Sequence, residues 1–428
     1  MKWSMVELHR IAPAKASDVA FPQESLVWHL TLDQIESHTG RIVNKRMAPA
    51  STAGNSTYTF DSGNVLYSKL RPYLNKVVRP AEAGIATTEL VPLRPLPGVL
   101  DGDYLAHYLR SADFLTFAQS CVAGAKMPRV IMARLWNHLI PLPPLSEQRR
   151  IAEILNRGEA LRQKRVDADY ETSRLVPSTF VDLFGDPVSN SKRWPIRSMS
   201  DFFTDPRHGP KCGPFGSALK KQEYIDAGIP VWGIDNVAAN RFLEANSLFI
   251  SESKFSELTA YSVEGGDILI SRAGTVGRMC VARPTVTRSI IGTNLIRLSF
   301  DVRALEPEYF STLFTYFPQI AHQLRAASDE GAYSFMNTSI LRSLQIPVPP
   351  VLLQRRFAEL VRAARTLDDR QADSRNKVQK LFESLLSHSF NGTLTAKWRG
   401  AHSTDLLAEI TYQLNVLGLP MEQTQPTQ

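Results

Sequence analysis

Ile140-Pro141-Leu142-Pro143-Pro144-Leu145, followed by Gln148-Arg149-Arg150 and Ala152-Glu153, returns 206 positions later as Ile346-Pro347-Val348-Pro349-Pro350-Val351, Gln354-Arg355-Arg356 and Ala358-Glu359. The register continues without insertion to Phe184 and Phe390, so each copy opens a segment of similar length. Proline holds the residue before it extended, so Ile-Pro-x-Pro-Pro predicts a stiff approach to a helix that begins near Leu145 or Val351. In the second segment Phe357, Ala364, Gln371, Val378 and Leu385 recur every seven residues, interleaved with Leu360, Leu367, Ser374 and Leu381. That is a heptad seam with polar residues at its middle. The first segment fits at Ile151, Ile154, Leu161, Ala168 and Leu175, but Gly158 and Arg165 stand in its seam and Pro177 predicts a kink or an early helix end. Matching lengths and a narrow seam predict that the two helices pair, antiparallel. Ile151 to Phe184 would then hold two globular domains about 50 Å apart, at ~1.5 Å per residue.

The repeat reaches upstream. Gly63-Asn64-Val65-Leu66-Tyr67-Ser68-Lys69 answers Gly266-Asp267-Ile268-Leu269-Ile270-Ser271-Arg272, and Thr88-Glu89-Leu90-Val91-Pro92-Leu93 answers Thr293-Asn294-Leu295-Ile296-Arg297-Leu298. Trp3 has a counterpart in Trp194. A period this long means duplicated domains, since solenoid repeats run roughly 20–50 residues. Val65–Lys69, Ile268–Arg272, Leu90–Arg94 and Leu295–Ser299 read as strands. Asp103–Gln119 and Pro307–Ala326 read as helices, with Tyr104, Leu105, Tyr108, Leu109 and Leu115 as a core stripe. The fold class is α+β: two tandem mixed α/β domains separated by two long helices pairing as an antiparallel coiled coil. The domains are 1–144, a helix over 145–185, 186–350, a second helix over 351–391 and a tail over 392–428 that is expected to lack order.

With 428 residues and 43% hydrophobic content, each half can bury a core. No apolar run approaches the roughly 20 residues that span a bilayer, and Met1-Lys2-Trp3-Ser4 opens no signal peptide; a cytoplasmic protein is expected. Cys121, Cys212 and Cys280 are scattered and odd in number, which predicts thiols and not disulfides or a zinc site. The net charge of +7 invites a polyanion, and its weight depends on where the charge sits.

No catalytic centre is legible. The stretch from Ala273 to Arg278 and the one from Gly209 to Ser217 lack the Gly-Lys-Ser/Thr ending of a phosphate-binding loop and the strand–glycine–helix order of a dinucleotide site. Asp235 and Glu252 are the nearest approach to a nuclease's carboxylates, without a confirming partner. What remains is a surface equipped to bind. Lys69, Arg71, Tyr73, Lys76 and Arg79 surround the first strand pair; Arg272, Arg278, Arg283 and Arg288 surround the second, with Lys211 and Lys220 ahead of it. A polar stretch precedes each connector, carrying Lys126 and Arg129 in one half and Tyr333 and Asn337 in the other. Taken singly each is an ordinary surface group. Recurrence at equivalent places makes the sets candidates for DNA contact, with phosphates taken by Lys and Arg and guanine edges open to Arg.

The doubled Pro-Pro-x3-Gln-Arg-Arg connector, the run from Gly266 to Arg272, and Gly213-Pro214-Phe215-Gly216-Ser217 resemble the specificity subunit of Type I restriction-modification systems, over residues 1 to about 398. The resemblance implies two target-recognition domains, each reading one half of a split, non-palindromic double-stranded DNA site. It implies two methyltransferase subunits docked on the helices, with Gln148, Arg149, Arg150, Gln354, Arg355 and Arg356 as candidate contacts, and restriction subunits in systems that also cleave. Those partners would bring S-adenosylmethionine, ATP and Mg2+; this chain would bind no cofactor or metal and catalyse nothing. Two departures stand out: Glu147 precedes the first connector glutamine where the second has Leu353, and Pro177 answers Glu383. The rival from another class is a coiled-coil adaptor that assembles partners without reading DNA.

Overall fold

The computed structural model describes residues 3–204, 207–245, 248–323 and 338–420. It divides into two units, one gathering Met1–Val166 with Asp373–Gln428 and the other formed by Asp167–Ala372. Each therefore holds one globular body and parts of both long helices.

The bodies share a plan. In the first, a mixed sheet runs in the order 47–49, 26–30, 84–87, 57–60, with Trp28 parallel to Gly84. A Cβ at Gly84 would lie 2.6 Å from both the Phe60 ring and the Trp28 carbonyl, so only glycine lets these strands close. Val65–Ser68, buried throughout, pairs antiparallel with Leu90–Leu93. In the second body Ile229–Trp232 runs parallel to Ile290–Ile291, and Ile268–Ser271 pairs antiparallel with Leu295–Ser299. The single helix expected over Asp103–Gln119 is two, Gly102–Arg110 and Ala112–Ser120, because Ser111 turns extended and its hydroxyl caps Phe114 N. Phe114 then takes the core place expected of Leu115. Its counterpart breaks at Phe317, held out of helix by Pro318.

Each connector forms an edge strand: Leu139–Leu142 pairs with Ser4–Glu7, and Gln345–Pro347 with Ile196–Ser198. Tyr104 Oη donates to the Pro141 carbonyl and Tyr309 Oη to that of Pro347, each at 2.8 Å. Gln148 is sealed from solvent: its Oε1 accepts from Asp101 N at 2.8 Å while Nε2 donates to the carbonyls of Val99 (2.9 Å) and Pro143 (2.8 Å). Gln354 does the same, accepting from Glu306 N at 2.9 Å and donating to Pro349 O at 2.7 Å. This corrects their assignment as partner contacts. Both amides are spent inside the chain, and only Arg149, Arg150, Arg355 and Arg356 stay exposed beside them.

The long helices run over Leu145–Phe184 and Val351–Ser389. Of the two outcomes expected at Pro177, the early end does not occur, since the helix continues through it to Phe184. Phe180 and Phe184, just beyond the proline, are buried against Phe357 and Tyr309 and hold the last turns in place. Gly158 is no defect either, since a Cβ there would come within 2.9 Å of the Phe382 ring. In the first unit Gly158 and Arg162 meet Phe382; in the second, Gln371 Nε2 donates to Thr172 Oγ1 at 2.8 Å and Phe357 meets Phe180. Numbers rise on one helix as they fall on the other, so the pairing is antiparallel. Half of the expected seam holds, with Phe357 buried and Gln371 and Leu385 in the pairing, and the other half is displaced by one residue: Val361 and Phe382 are buried, whereas Leu360, Leu367 and Leu381 face solvent.

The tail is ordered as far as residue 420, contrary to expectation. Helices Ala396–Ala401 and Ser403–Leu417 pack within the first unit, where Gln413 Nε2 reaches the same Val99 and Pro143 carbonyls as Gln148. The fully buried Glu147 carboxylate accepts from Trp3 Nε1 (3.1 Å), Thr395 Oγ1 (2.5 Å) and Arg399 Nε (2.9 Å). A buried charge needs such partners. The second unit has the half-buried Leu353 here, packed on its apolar core. Trp194 departs from Trp3 as well, donating to the Phe184 carbonyl.

Replacing Gln148 or Gln354 by Leu should lower the unfolding free energy by about 2–4 kcal/mol, the cost of stranding buried backbone groups. Arg149→Ala should leave the calorimetric transition where it is. His107 is buried with Nε2 2.7 Å from Asn156 Oδ1 and Nδ1 3.1 Å from Arg110 Nη2. Burial, and after it the Arg110 charge, pushes its pKa down from 6.5 to about 3. The unfolded chain therefore binds a proton that the native chain refuses, and stability should fall as pH drops from ~6.5 toward ~3, by on the order of 4 kcal/mol. His107→Gln should flatten that acid limb in urea titrations at stepped pH.

Candidate nucleic-acid interface

Two basic segments of the first body, far apart in sequence, are joined by backbone hydrogen bonds. Arg71 N donates to Pro128 O at 2.8 Å and Val130 N to Lys69 O at 2.9 Å, with Leu70 bridged to Arg129. The chain leaving Val65–Ser68 thus runs along the hairpin of Val122–Ala123 and Arg129–Val130. Lys126 and Met127 are exposed in its loop. Arg71 is exposed and held at φ +49, a left-handed conformation that a non-glycine residue keeps only when its surroundings impose it. Tyr73 is exposed in the 3-10 turn that follows, and Lys69 is half-buried.

Two of the expected contacts in this body are already engaged. Lys76 Nζ donates to the Leu32 carbonyl at 2.6 Å, and partial burial pulls its pKa down. Arg129 forks onto Glu89 at 2.8–3.2 Å, which raises its pKa and cancels its charge. Both have partners within the chain, and Arg129 remains exposed. Glu89 was invisible as a neutraliser in sequence, because 40 residues separate the pair.

In the second body Arg272 N donates to Asn294 O at 3.0 Å as Lys69 N does to Glu89 O, the same join in the repeat. The Arg272 guanidinium lies 4.6 Å from the ring centre of Phe215, and Lys211 5.0 Å from that of Tyr261. Phe215 is 53% exposed, in a turn where a Cβ on Gly213 would lie 2.0 Å from the Gly292 carbonyl. It joins the candidates; its signal in the sequence was an aromatic residue between two glycines. Lys220 and Arg278 are exposed, Arg278 reaching Thr275 Oγ1 at 3.2 Å. Arg288 forks onto Glu252 at 2.5 and 2.8 Å, so neither its charge nor the nuclease candidate's carboxylate is open. Tyr333 and Asn337 lie outside the described residues. Among the described residues no three His, Cys, Asp or Glu side chains gather as a metal site, and no helix is long and apolar enough to cross a membrane.

Residues 40–165 match the family model described as Type I restriction modification DNA specificity domain. The EcoKI specificity subunit of Escherichia coli K12 is 25% identical over 341 residues, spanning 74% of this chain and 70% of its own. The MjaVIII specificity subunit of Methanocaldococcus jannaschii is 21% identical over 328 residues, with 73% and 75% covered. The fold agrees with that of the Type I restriction-modification S subunit of M. genitalium, 16% identical with a TM-score of 0.58 over 91% of this chain and 96% of that one. Over about three quarters of its length the chain is similar to Type I restriction-modification specificity subunits, and residues 40–165 match their specificity domain.

Among the described candidates, Arg71 and Lys126 in one body and Lys220 and Arg278 in the other are exposed. Removing one phosphate-contacting cation should reduce the slope of log K against log salt by about 0.9. Lys126→Ala and Lys220→Ala should each do so in fluorescence-anisotropy titrations on duplex DNA, while Arg129→Ala, whose charge Glu89 cancels, should leave the slope as it is.

Proposed function

We propose that this chain binds double-stranded DNA at a split, asymmetric target, each body reading one short half-site and the base pairs between them left unread. The observation that carries the reading is a repeated strand end, fixed by Lys69 N on Glu89 O in one body and by Arg272 N on Asn294 O in the other, with different basic and aromatic side chains displayed around it. The first offers Arg71, Tyr73 and Lys126; the second offers Arg272 on Phe215, Lys220 and Arg278. Unlike surfaces read unlike sequences. Phosphate contacts set the register, and arginine can take a guanine edge with two hydrogen bonds.

The helices would carry two methyltransferase subunits. In the second unit an apolar groove of about 270 Å3 is lined by Leu175, Leu360 and Leu367, all exposed, and supports that role together with the free faces of Arg355 and Arg356. The methyltransferases would bring S-adenosylmethionine and methylate adenine N6; restriction subunits with ATP and Mg2+ would join in a system that also cleaves. The chain itself would supply the address in the cytoplasm and take no catalytic step and no cofactor.

Single-molecule mapping of N6-methyladenine tests this, comparing cells that express the chain with its methyltransferase against cells lacking only the chain. A split, asymmetric motif that vanishes with the chain is the expected result. Methylation unchanged by its removal, with an active methyltransferase present, would favour a coiled-coil adaptor.

A further inference from the structure

The long helices present opposite charges to the bodies they carry, at positions 206 residues apart. In the first unit a cavity of about 420 Å3 between body and helix is lined on the helix side by Asn156, Glu159, Ala160, Arg162 and Gln163. In the second unit a cavity of about 620 Å3 is lined by Arg362, Arg365, Thr366, Asp368 and Asp369, which are those five positions of the repeat, while Val166 lines the first cavity alone. Glu159 becomes Arg365, and Arg162 becomes Asp368.

The bodies are inverted to match. Glu159 meets Arg110 at 3.2 Å, and Arg110 is also tied to the Thr39 carbonyl and His107. Arg162 shares its cavity with Glu36, whose carboxyl is held low first by the Arg41 hydrogen bond and least by the Arg162 charge. In the second unit Arg365 forks onto the buried Glu308, with both bonds at 2.6 Å, while Arg241 takes Asp368 at 3.2 Å and Asp369 beside it. Several contacts recur in both units and do not distinguish them: the glutamine amides, the tyrosine hydroxyls on proline carbonyls and, within each body, the pairs Arg79–Asp103 and Arg283–Glu308.

We propose that this inverted charge pattern is an address: it admits each recognition body to its own helix and rejects it from the other. A body on the wrong helix would set Arg110 against Arg365, Glu36 against Asp368 and Asp369, and Arg241 against Arg162. All three encounters are repulsive, and the first is largely shielded from water, where like charges discriminate most. Rejection of the wrong partner, with the shared contacts supplying affinity, would fix the order of the bodies along the chain. If each body reads a half-site, it also fixes the order of the half-sites; that last step alone rests on the proposed function.

The test is a cycle of full-length chains. One exchanges the bodies, residues 13–138 for 205–344, leaving connectors, helices and tail in place. A second keeps the native bodies and exchanges the helix charges: Asn156→Arg, Glu159→Arg, Arg162→Asp and Gln163→Asp with Arg362→Asn, Arg365→Glu, Asp368→Arg and Asp369→Gln. A third makes both exchanges. Each single exchange should lower the calorimetric midpoint by roughly 5 °C or more, and the double exchange should recover most of the loss. A midpoint untouched by the helix exchange, or a double exchange no better than the bodies alone, overturns the address. If the body-exchanged chains do not accumulate, the smaller cycle of Arg110→Glu and Glu159→Arg decides: the pair together should regain most of what each loses, and no regain overturns the proposal. Stability is read here without DNA. A recovered chain whose methylation motif is not reversed would refute the half-site reading and leave the address standing.

Discussion

A primary amide sealed at the head of each long helix is the constraint on which the rest depends. The connector is rich in proline, and proline takes donors away while leaving every carbonyl in need of one. Gln148 and Gln354 meet that need, satisfying Pro143 and Pro349 and accepting the backbone N–H that opens a helix of the body. Glutamine suits the place because one planar group both donates and accepts. The six residues from Pro143 to Gln148 are thus a unit in which the prolines create the demand and the amide answers it. Body and helix become one rigid piece because neither can leave without stranding the other's polar groups.

Most of the fold was legible because duplication supplies its own control. The strand pairs at Val65–Ser68 and Ile268–Ser271, the helix starts and the antiparallel pairing could each be read twice in one chain. What failed was local. Pro177 argued for a break, and the ring stack of Phe180, Phe184 and Phe357 outweighed it. Heptad counting chose the leucines at 360, 367 and 381, whereas the buried positions are filled by the bulkier Phe382 and by Val361. The tail looked structureless because its helices lean on a partner surface elsewhere in the chain.

The interface was legible as a region and not residue by residue. Arginine and lysine in a basic chain mark a surface, but whether each is open depends on a carboxylate or carbonyl that the fold delivers from far away. Glu89 for Arg129 and Glu252 for Arg288 are such deliveries. The glutamines were misassigned for the opposite reason: a motif that recurs intact invites a functional role, and here it recurs because the backbone requires it.

Glu147 ties together parts of the chain that are made at very different times. Its partners are Trp3, near the start of the first unit, and Thr395 and Arg399, near the end of that same unit. The second unit, Asp167–Ala372, is one uninterrupted stretch, whereas the first must wait for Asp373 onward. During synthesis the usual order of folding is therefore reversed: the body emerging second can finish first, while its predecessor sits on the ribosome with a buried acid still lacking its arginine.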